Sequence, residues 1–200
     1  MVAVVDYGVG NLFSVEKALT TLGADVRVSG EESDLRAAEK IVLPGVGAFG
    51  DCMKNLTATG LIPALKEMMA QGKPLLGICV GMQILFDGSE ESSQATGLGY
   101  FAGQVKKLNA PGLKIPHMGW NSLSIRDYAP LFSGLTAQSY VYFVHSYHAV
   151  PQDSSIIAAT ADYGEKLTAA VVKGSVMATQ FHPEKSGDVG LAILKNFLRG

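Results

Sequence analysis

Residues 74–83 read Pro74-Leu75-Leu76-Gly77-Ile78-Cys79-Val80-Gly81-Met82-Gln83. The apolar run at 74–78 has the length and composition of a buried strand, and residues 80–86 fit a following helix. A cysteine between two glycines sits at the junction. This is the pattern of a nucleophile elbow, a sharp turn that lifts a reactive side chain off the sheet edge while small neighbours give it room. A helix N-terminus aimed at the sulfur favours thiolate, the nucleophilic form. A buried, inert cysteine at the end of a core strand is the competing reading, and Cys79 with its glycines does not separate the two.

Outward from this stretch, short β-rich runs alternate with helical patterns. Residues 2–6, 25–28 and 41–43 read as strands. Residues 11–22 carry Leu12, Val15, Ala18, Leu19 and Leu22 on one helical face, and 61–71 carry Leu61, Ala64, Leu65, Met68 and Met69. Ser33 is placed to cap a short helix through residue 38. This β-α-β-α order predicts a mostly parallel sheet covered on both faces by helices. The second half differs. Residues 101–108, 121–125 and 140–144 read as strands, and 155–161 and 167–173 flank the turn Asp162-Tyr163-Gly164. Lys173-Gly174 turns again into 176–181. Such close-spaced hairpins predict antiparallel additions to the sheet. A final helix over 189–198 gathers Leu191, Leu194, Phe197 and Leu198. No repeat, low-complexity segment or linker interrupts the 200 residues, so a single domain is expected over 1–200.

Composition narrows the function class. The chain is 48% hydrophobic and 17% charged, with a formal charge of −2, which argues against disorder and against a nucleic-acid partner. It has two cysteines, no basic-then-apolar leader and no apolar run long enough for a membrane helix. A cytoplasmic protein with free thiols is expected.

His182-Pro183-Glu184 adds chemistry to the elbow. Pro183 pushes His182 toward extended geometry, where residues i and i+2 point the same way. Glu184 can then orient the imidazole and stabilise its charged form, the base-plus-orienter arrangement of a nucleophilic triad. Pro44-Gly45-Val46-Gly47 follows another strand end, and its amides, with that of Val80, could form an oxyanion hole. Read blandly, the first is a surface histidine beside a solvated glutamate and the second an ordinary turn. His145 and His148 read as core or rim residues, and Cys52 as a small helical core or surface residue. His117 has no second His or Cys at metal-ligand spacing, so no metal is expected.

Pro-Gly-Val-Gly-Ala-Phe-Gly at 44–50, Gly-Ile-Cys-Val-Gly-Met-Gln at 77–83 and Gln-Phe-His-Pro-Glu-Lys-Ser at 180–186 together resemble the class I (triad) glutamine amidotransferases. The opening Asp6-Tyr7-Gly8-Val9-Gly10-Asn11-Leu12 and Pro116-His117-Met118-Gly119-Trp120-Asn121 are similar to the glutaminase subunits of imidazole glycerol phosphate synthases. The resemblance spans essentially the whole chain. It implies a flavodoxin-like α/β domain with Cys79 as nucleophile, His182 as base and then acid, and Glu184 as orienter. It implies that amides of Val46, Gly47 and Val80 receive the oxyanion and that Gln83, Ser146 and Tyr147 hold the backbone groups of glutamine. It implies no cofactor, and a (βα)8-barrel cyclase partner that takes up the ammonia. Asn11, Trp120, Asn121 and Lys185 are the candidate residues facing that partner. In the resembled family the 44–47 loop can rest with a carbonyl, not an N–H, toward the site. Three alternatives stay open: the glutaminase subunit of another synthase (of anthranilate or pyridoxal phosphate), a γ-glutamyl hydrolase, and a non-catalytic α/β binding protein with an inert thiol.

Overall fold

Runs of apolar residues without a polar gap can only be strands buried on both faces, since neighbouring side chains point to opposite sides of a sheet. In the computed structural model, which describes residues 1–126, 129–136 and 138–200, the central strands have this character. They are β1 (Val2–Val5), β3 (Lys40–Gly45) and β4 (Leu75–Cys79), buried along essentially their whole length. Around them lie α1 (Leu12–Thr21), β2 (Val26–Ser29), α2 (Glu32–Ala37), α3 (Phe49–Ala58), α4 (Ile62–Ala70) and the single turn α5 (Val80–Gln83). The second half supplies β5 (Gly88–Ser89), β6 (Gly103–Lys107), β7 (His117–Ser122), β8 (Ser124–Ile125), β9 (Tyr140–His145), β10 (Tyr147–Pro151), β11 (Ile157–Tyr163), β12 (Glu165–Lys173), β13 (Val176–Thr179) and α6 (Gly187–Arg199).

The main sheet runs in the order β2-β1-β3-β4-β13-β12-β11-β8. Strands β2, β1, β3, β4 and β13 are parallel, and β12, β11 and β8 are added antiparallel. The hairpin turns fall where the sequence places them, with Gly164 and Gly174 at positive φ. No helix among the described residues is long and apolar enough to cross a membrane.

Three expectations need correction, and one helix begins where the sequence carries no cap. Helix α3 has no local start signal in the sequence, because its N-cap Ala48 makes no side-chain cap bond. Its free N–H groups are satisfied from a distant loop instead: Phe49 donates to Glu91 Oε2 at 2.8 Å and Gly50 to Ser92 Oγ at 3.2 Å. Helix α5 stops at Gln83 rather than 86, because segment 98–101 captures the carbonyls of Ile84, Leu85 and Phe86. Helix α2 begins at Glu32 with Glu31 as N-cap, so Ser33 lies inside the first turn and is not the cap. The second-half strands do not all join the main sheet. β7 pairs with β9 in a separate two-stranded sheet, and β10, β6 and β5 form another. The strand expected at 121–125 is split by this, with 117–122 on β9 and 124–125 on β11.

Strand β3 and helix α5 approach so closely that only glycine fits between them. A Cβ on Gly81 would lie 1.9 Å from the Leu43 carbonyl oxygen. Gly72, at φ +84°, has open space where a Cβ would sit. Gly81→Ala should therefore cost ~3 kcal/mol or more through overpacking, and Gly72→Ala only the ~1 kcal/mol of a left-handed alanine. Urea unfolding of the two variants measures the difference, and equal small losses would mean that the contact relaxes freely.

Candidate active site

Cys79 ends β4 with φ +56° and ψ −112°, and it is the only non-glycine residue at positive φ among the described residues. A conformation this sparsely populated costs ~1–3 kcal/mol and persists only where the surroundings impose it. They do so here. Besides Gly81, a Cβ on Gly45 would lie 2.5 Å from the Gly81 nitrogen, and one on Gly77 2.9 Å from the Gly81 oxygen. The glycines let β3, β4 and α5 close on one another, and the turn between β4 and α5 is left to the cysteine.

Strand β13 pairs parallel with β4, matching Thr179 with Ile78, so the segment after β13 emerges beside the elbow. His182 is extended there, with φ −98° and ψ 96°, as Pro183 requires. Its N–H donates to Tyr142 O at 3.0 Å, and its carbonyl accepts from Ser186 Oγ at 2.6 Å. Only His182 is extended, however. Residues Pro183–Lys185 form a 3-10 turn, and Glu184 reaches the imidazole from that turn rather than along a strand. The Nδ1–Oε1 distance is 2.8 Å, with the side chains 3% and 1% exposed. With Nδ1 on the glutamate, Nε2 is the nitrogen left for the Cys79 sulfur. Burial pushes the imidazole down, but the Cys79 and Glu184 hydrogen bonds and charges outweigh it and raise the pKa from 6.5 to about 10. The ring is thus held as imidazolium at neutral pH. Helix α5 is one turn long and sums few peptide dipoles, so its N-terminus adds little positive charge at this position. Glu184 Oε2 is buried without a hydrogen-bond partner among the described residues.

These groups open into a cavity of about 290 Å³. Its lining includes Cys79, Val80, His182, Gln83, Ser146, Tyr147, Val46, Gly47 and Lys185, all singled out in the sequence. Glu184 stands behind His182 and does not line it. Glu91, Pro116, Val144 and His145 also line the cavity without having been expected there. Gln180 was missed as well: its Nε2 lies 3.8 Å from the Cys79 sulfur and its Oε1 accepts from Gln83 Nε2 at 3.0 Å. The two-residue spacing from Gln180 to His182 was the available signal. Gln83 Nε2 also donates to Tyr147 O at 3.0 Å.

Three other expected residues lie outside the cavity. Asn11 caps α1, accepting from Ser14 N. Trp120 is 57% exposed on β7, and Asn121, next to it, is half-buried and hydrogen-bonded.

The loop after β3 is held by its carbonyls. Tyr7 donates its hydroxyl to Pro44 O at 2.6 Å, and the Cys52 thiol donates to Val46 O at 3.3 Å. Burial pushes the Cys52 thiol up to about 11 and the Tyr7 hydroxyl well above the phenol range. Cys52 is fully buried on α3, as its bland reading held. Gly47 stands at φ +86° with open space around it.

The two thiols should accordingly differ in reactivity. At neutral pH iodoacetamide should alkylate Cys79 first, and Cys52 should stay unlabelled until pH approaches 11, since only the thiolate reacts. His182→Ala should slow Cys79 labelling by ~10-fold or more by removing the adjacent cation. Peptide mapping by mass spectrometry reads both. Labelling of Cys52 ahead of Cys79 would contradict the geometry.

Comparisons with known proteins give the family. The family model described as glutamine amidotransferase class-I matches residues 3–200. An imidazole glycerol phosphate synthase subunit HisH from Syntrophotalea carbinolica is 50% identical, over 98% of each chain. The protein of the same name from Thermosynechococcus vestitus is 49% identical over 98% of this chain and 95% of its own. Among solved structures, PurLQS from Thermotoga maritima superposes with a TM-score of 0.76 at 22% identity, covering 99% of this chain and 97% of that one, which speaks to the fold alone. With its full-length match, and with the strained cysteine and the His–Glu pair at neighbouring strand ends, the chain belongs to the class I glutamine amidotransferase family.

Proposed function

We propose that the chain works as one glutaminase domain, the ammonia-producing subunit of an imidazole glycerol phosphate synthase. The observation that carries this reading is the His182 imidazole, fixed by Glu184 at 2.8 Å beside a cysteine held at an elbow on the cavity wall. The near-full-length identity with proteins of that name supports the pathway.

The Cys79 sulfur attacks the side-chain carbonyl carbon of glutamine, and the oxyanion is received by the Val80 amide and by amides of Val46 and Gly47. His182 gives its Nε2 proton to the departing ammonia. Water, deprotonated by His182, then cleaves the γ-glutamyl thioester to glutamate and frees the sulfur. Gln83, Ser146 and Tyr147 hold the backbone groups of glutamine. No cofactor takes part. The ammonia passes to a (βα)8-barrel cyclase, which makes imidazole glycerol phosphate and an aminoimidazole carboxamide ribotide in the cytoplasm. Asn11, Trp120 and Lys185 face that cyclase, while the amide of Asn121, next to Trp120, turns inward to Asp162 O. Exposed Trp120 suits an interface anchor, and Lys185 both lines the cavity and directly follows the triad glutamate.

Cys79→Ala should abolish glutamine-dependent synthesis by the chain with its cyclase and spare synthesis driven by added ammonia. Full glutamine-dependent activity in this variant would overturn the assignment. Glu184→Gln should be less damaging than His182→Ala by on the order of tenfold or more, because an orienter is less essential than the base.

The chain alone should be a poor glutaminase. The 44–47 loop has its carbonyls tied to Tyr7 and Cys52, and a missing oxyanion donor costs ~10²–10³ in turnover. Glycines on both sides of Val46 lower the cost of turning its peptide over. Glutamine hydrolysis is compared for the chain alone, with the cyclase, and with the cyclase plus its nucleotide-like substrate. A lone chain that already runs at the fully stimulated rate would end the gating idea while leaving the triad intact.

A further inference from the structure

Two histidines that the triad does not use lie buried between the outer strand β7 and the cavity. In the β7–β9 pair His117 faces His145 across the ladder, and the two are 3% and 6% exposed. The His117 ring is stacked between Phe143, at 4.7 Å between centroids, and Tyr163, at 4.0 Å. Such a stack fixes the plane of the ring, and the hydrogen bonds along its edges fix which nitrogen faces which partner.

The hydrogen bonds around these rings run in one direction. His145 Nδ1 lies 2.8 Å from Tyr147 O. A carbonyl oxygen only accepts, so Nδ1 carries the proton and Nε2 of the neutral ring accepts. The group facing that Nε2 is His117 Nδ1, at 2.9 Å, which must therefore donate. His117 Nε2 is then an acceptor, and Asn121 Nδ2 stands 3.3 Å away to supply it. The amide of Asn121 is oriented independently: Nδ2 also donates to Asp162 O at 2.9 Å, and Oδ1 accepts from Ser122 N at 2.8 Å. Burial holds both rings neutral, lowering His117 to about 4 and His145 to about 3. The chain Asn121→His117→His145→Tyr147 thus has both ends fixed and a single consistent set of tautomers. Beyond it, Tyr147 O accepts a second bond from Gln83, which also holds Gln180, whose amide lies against the Cys79 sulfur.

We propose that His117 and His145 are positioning residues of the glutamine pocket, a directed hydrogen-bond relay that ties the Tyr147 carbonyl, and through Gln83 and Gln180 the Cys79 sulfur, to strand β7. The proposal rests on the glutaminase reading for its consequence. The outward side of β7 carries Met118 and Trp120, 63% and 57% exposed, so whatever presses on that strand moves the first donor of the relay.

Two measurements test it. In the full-length chain at neutral pH, the imidazole nitrogen shifts of His117 and His145 by NMR should report Nδ1–H tautomers for both rings. Nε2–H tautomers at either ring would overturn the relay, whatever the protein's activity. In the chain with its cyclase, His117→Leu leaves His145 Nε2 without its donor. It should raise KM for glutamine ~10-fold, the cost of a buried group left unpaired, while ammonia-driven synthesis stays unchanged. His117→Asn places an amide donor near the Nδ1 position and should bring KM back to within about threefold of the starting protein, because the bond to His145 is remade. Equal KM in both variants, or thermal melts lowered alike with no change in KM, would make His117 a packing residue only. If the starting protein with its cyclase and the cyclase substrate hydrolyses no glutamine but shows both Nδ1–H tautomers, the relay stands and the glutaminase reading falls.

Discussion

Strand β4 hydrogen-bonds to β3 on one side and to β13 on the other, both in parallel, with Gly45 level with Cys79 and Thr179 level with Ile78. Parallel strands share one carboxyl edge, so the three segments that follow them start side by side. One contributes the glycine loop, one Cys79 and one His182. The ladder is also a ruler. A slip of β13 by two residues would carry His182 ~7 Å along the strand direction, well beyond hydrogen-bond reach of the sulfur.

Several destabilising features gather at this edge. Cys79 has a backbone conformation that other L-residues avoid. His182 and Glu184 form an almost completely buried ionic pair, and one glutamate oxygen has no hydrogen-bond partner among the described residues. Removing such ions from water costs on the order of several kcal/mol each before their attraction is counted. Their surroundings over-determine them. Ser186 bonds both the His182 carbonyl and the Tyr142 amide, and three glycines lock β3 and β4 against α5. Strain, buried charge and a raised imidazole pKa in one place distinguish a working site from the uniformly apolar core beneath it.

The elements that could be read from the chain are those whose signals are local. Helices α1, α4 and α6 present regular apolar stripes, and the turns at Gly164 and Gly174 are written in their own residues. The start of helix α3 was illegible because its caps, Glu91 and Ser92, arrive from a loop far along the chain, although the stripe of Phe49, Cys52, Met53 and Leu56 is local. Helix α5 read too long because the carbonyls that would extend it are taken by segment 98–101. His145 read as a rim or core residue, and it is both. Its relation to His117 depends on the pairing of β7 with β9, which the strand pattern at 121–125 placed wrongly.

The sequence by itself determined the elbow at Cys79, the extended geometry of His182 before proline and the parallel character of the first half. Each follows from the sterics or the periodicity of a few consecutive residues. The tertiary structure decided that β13 lies beside β4, that Gln180 rests against the sulfur, and that Tyr7 and Cys52 hold the 44–47 loop. Those contacts join residues far apart in the chain. Their energies depend on which strands pair and in what register, and a local pattern carries no record of its partner.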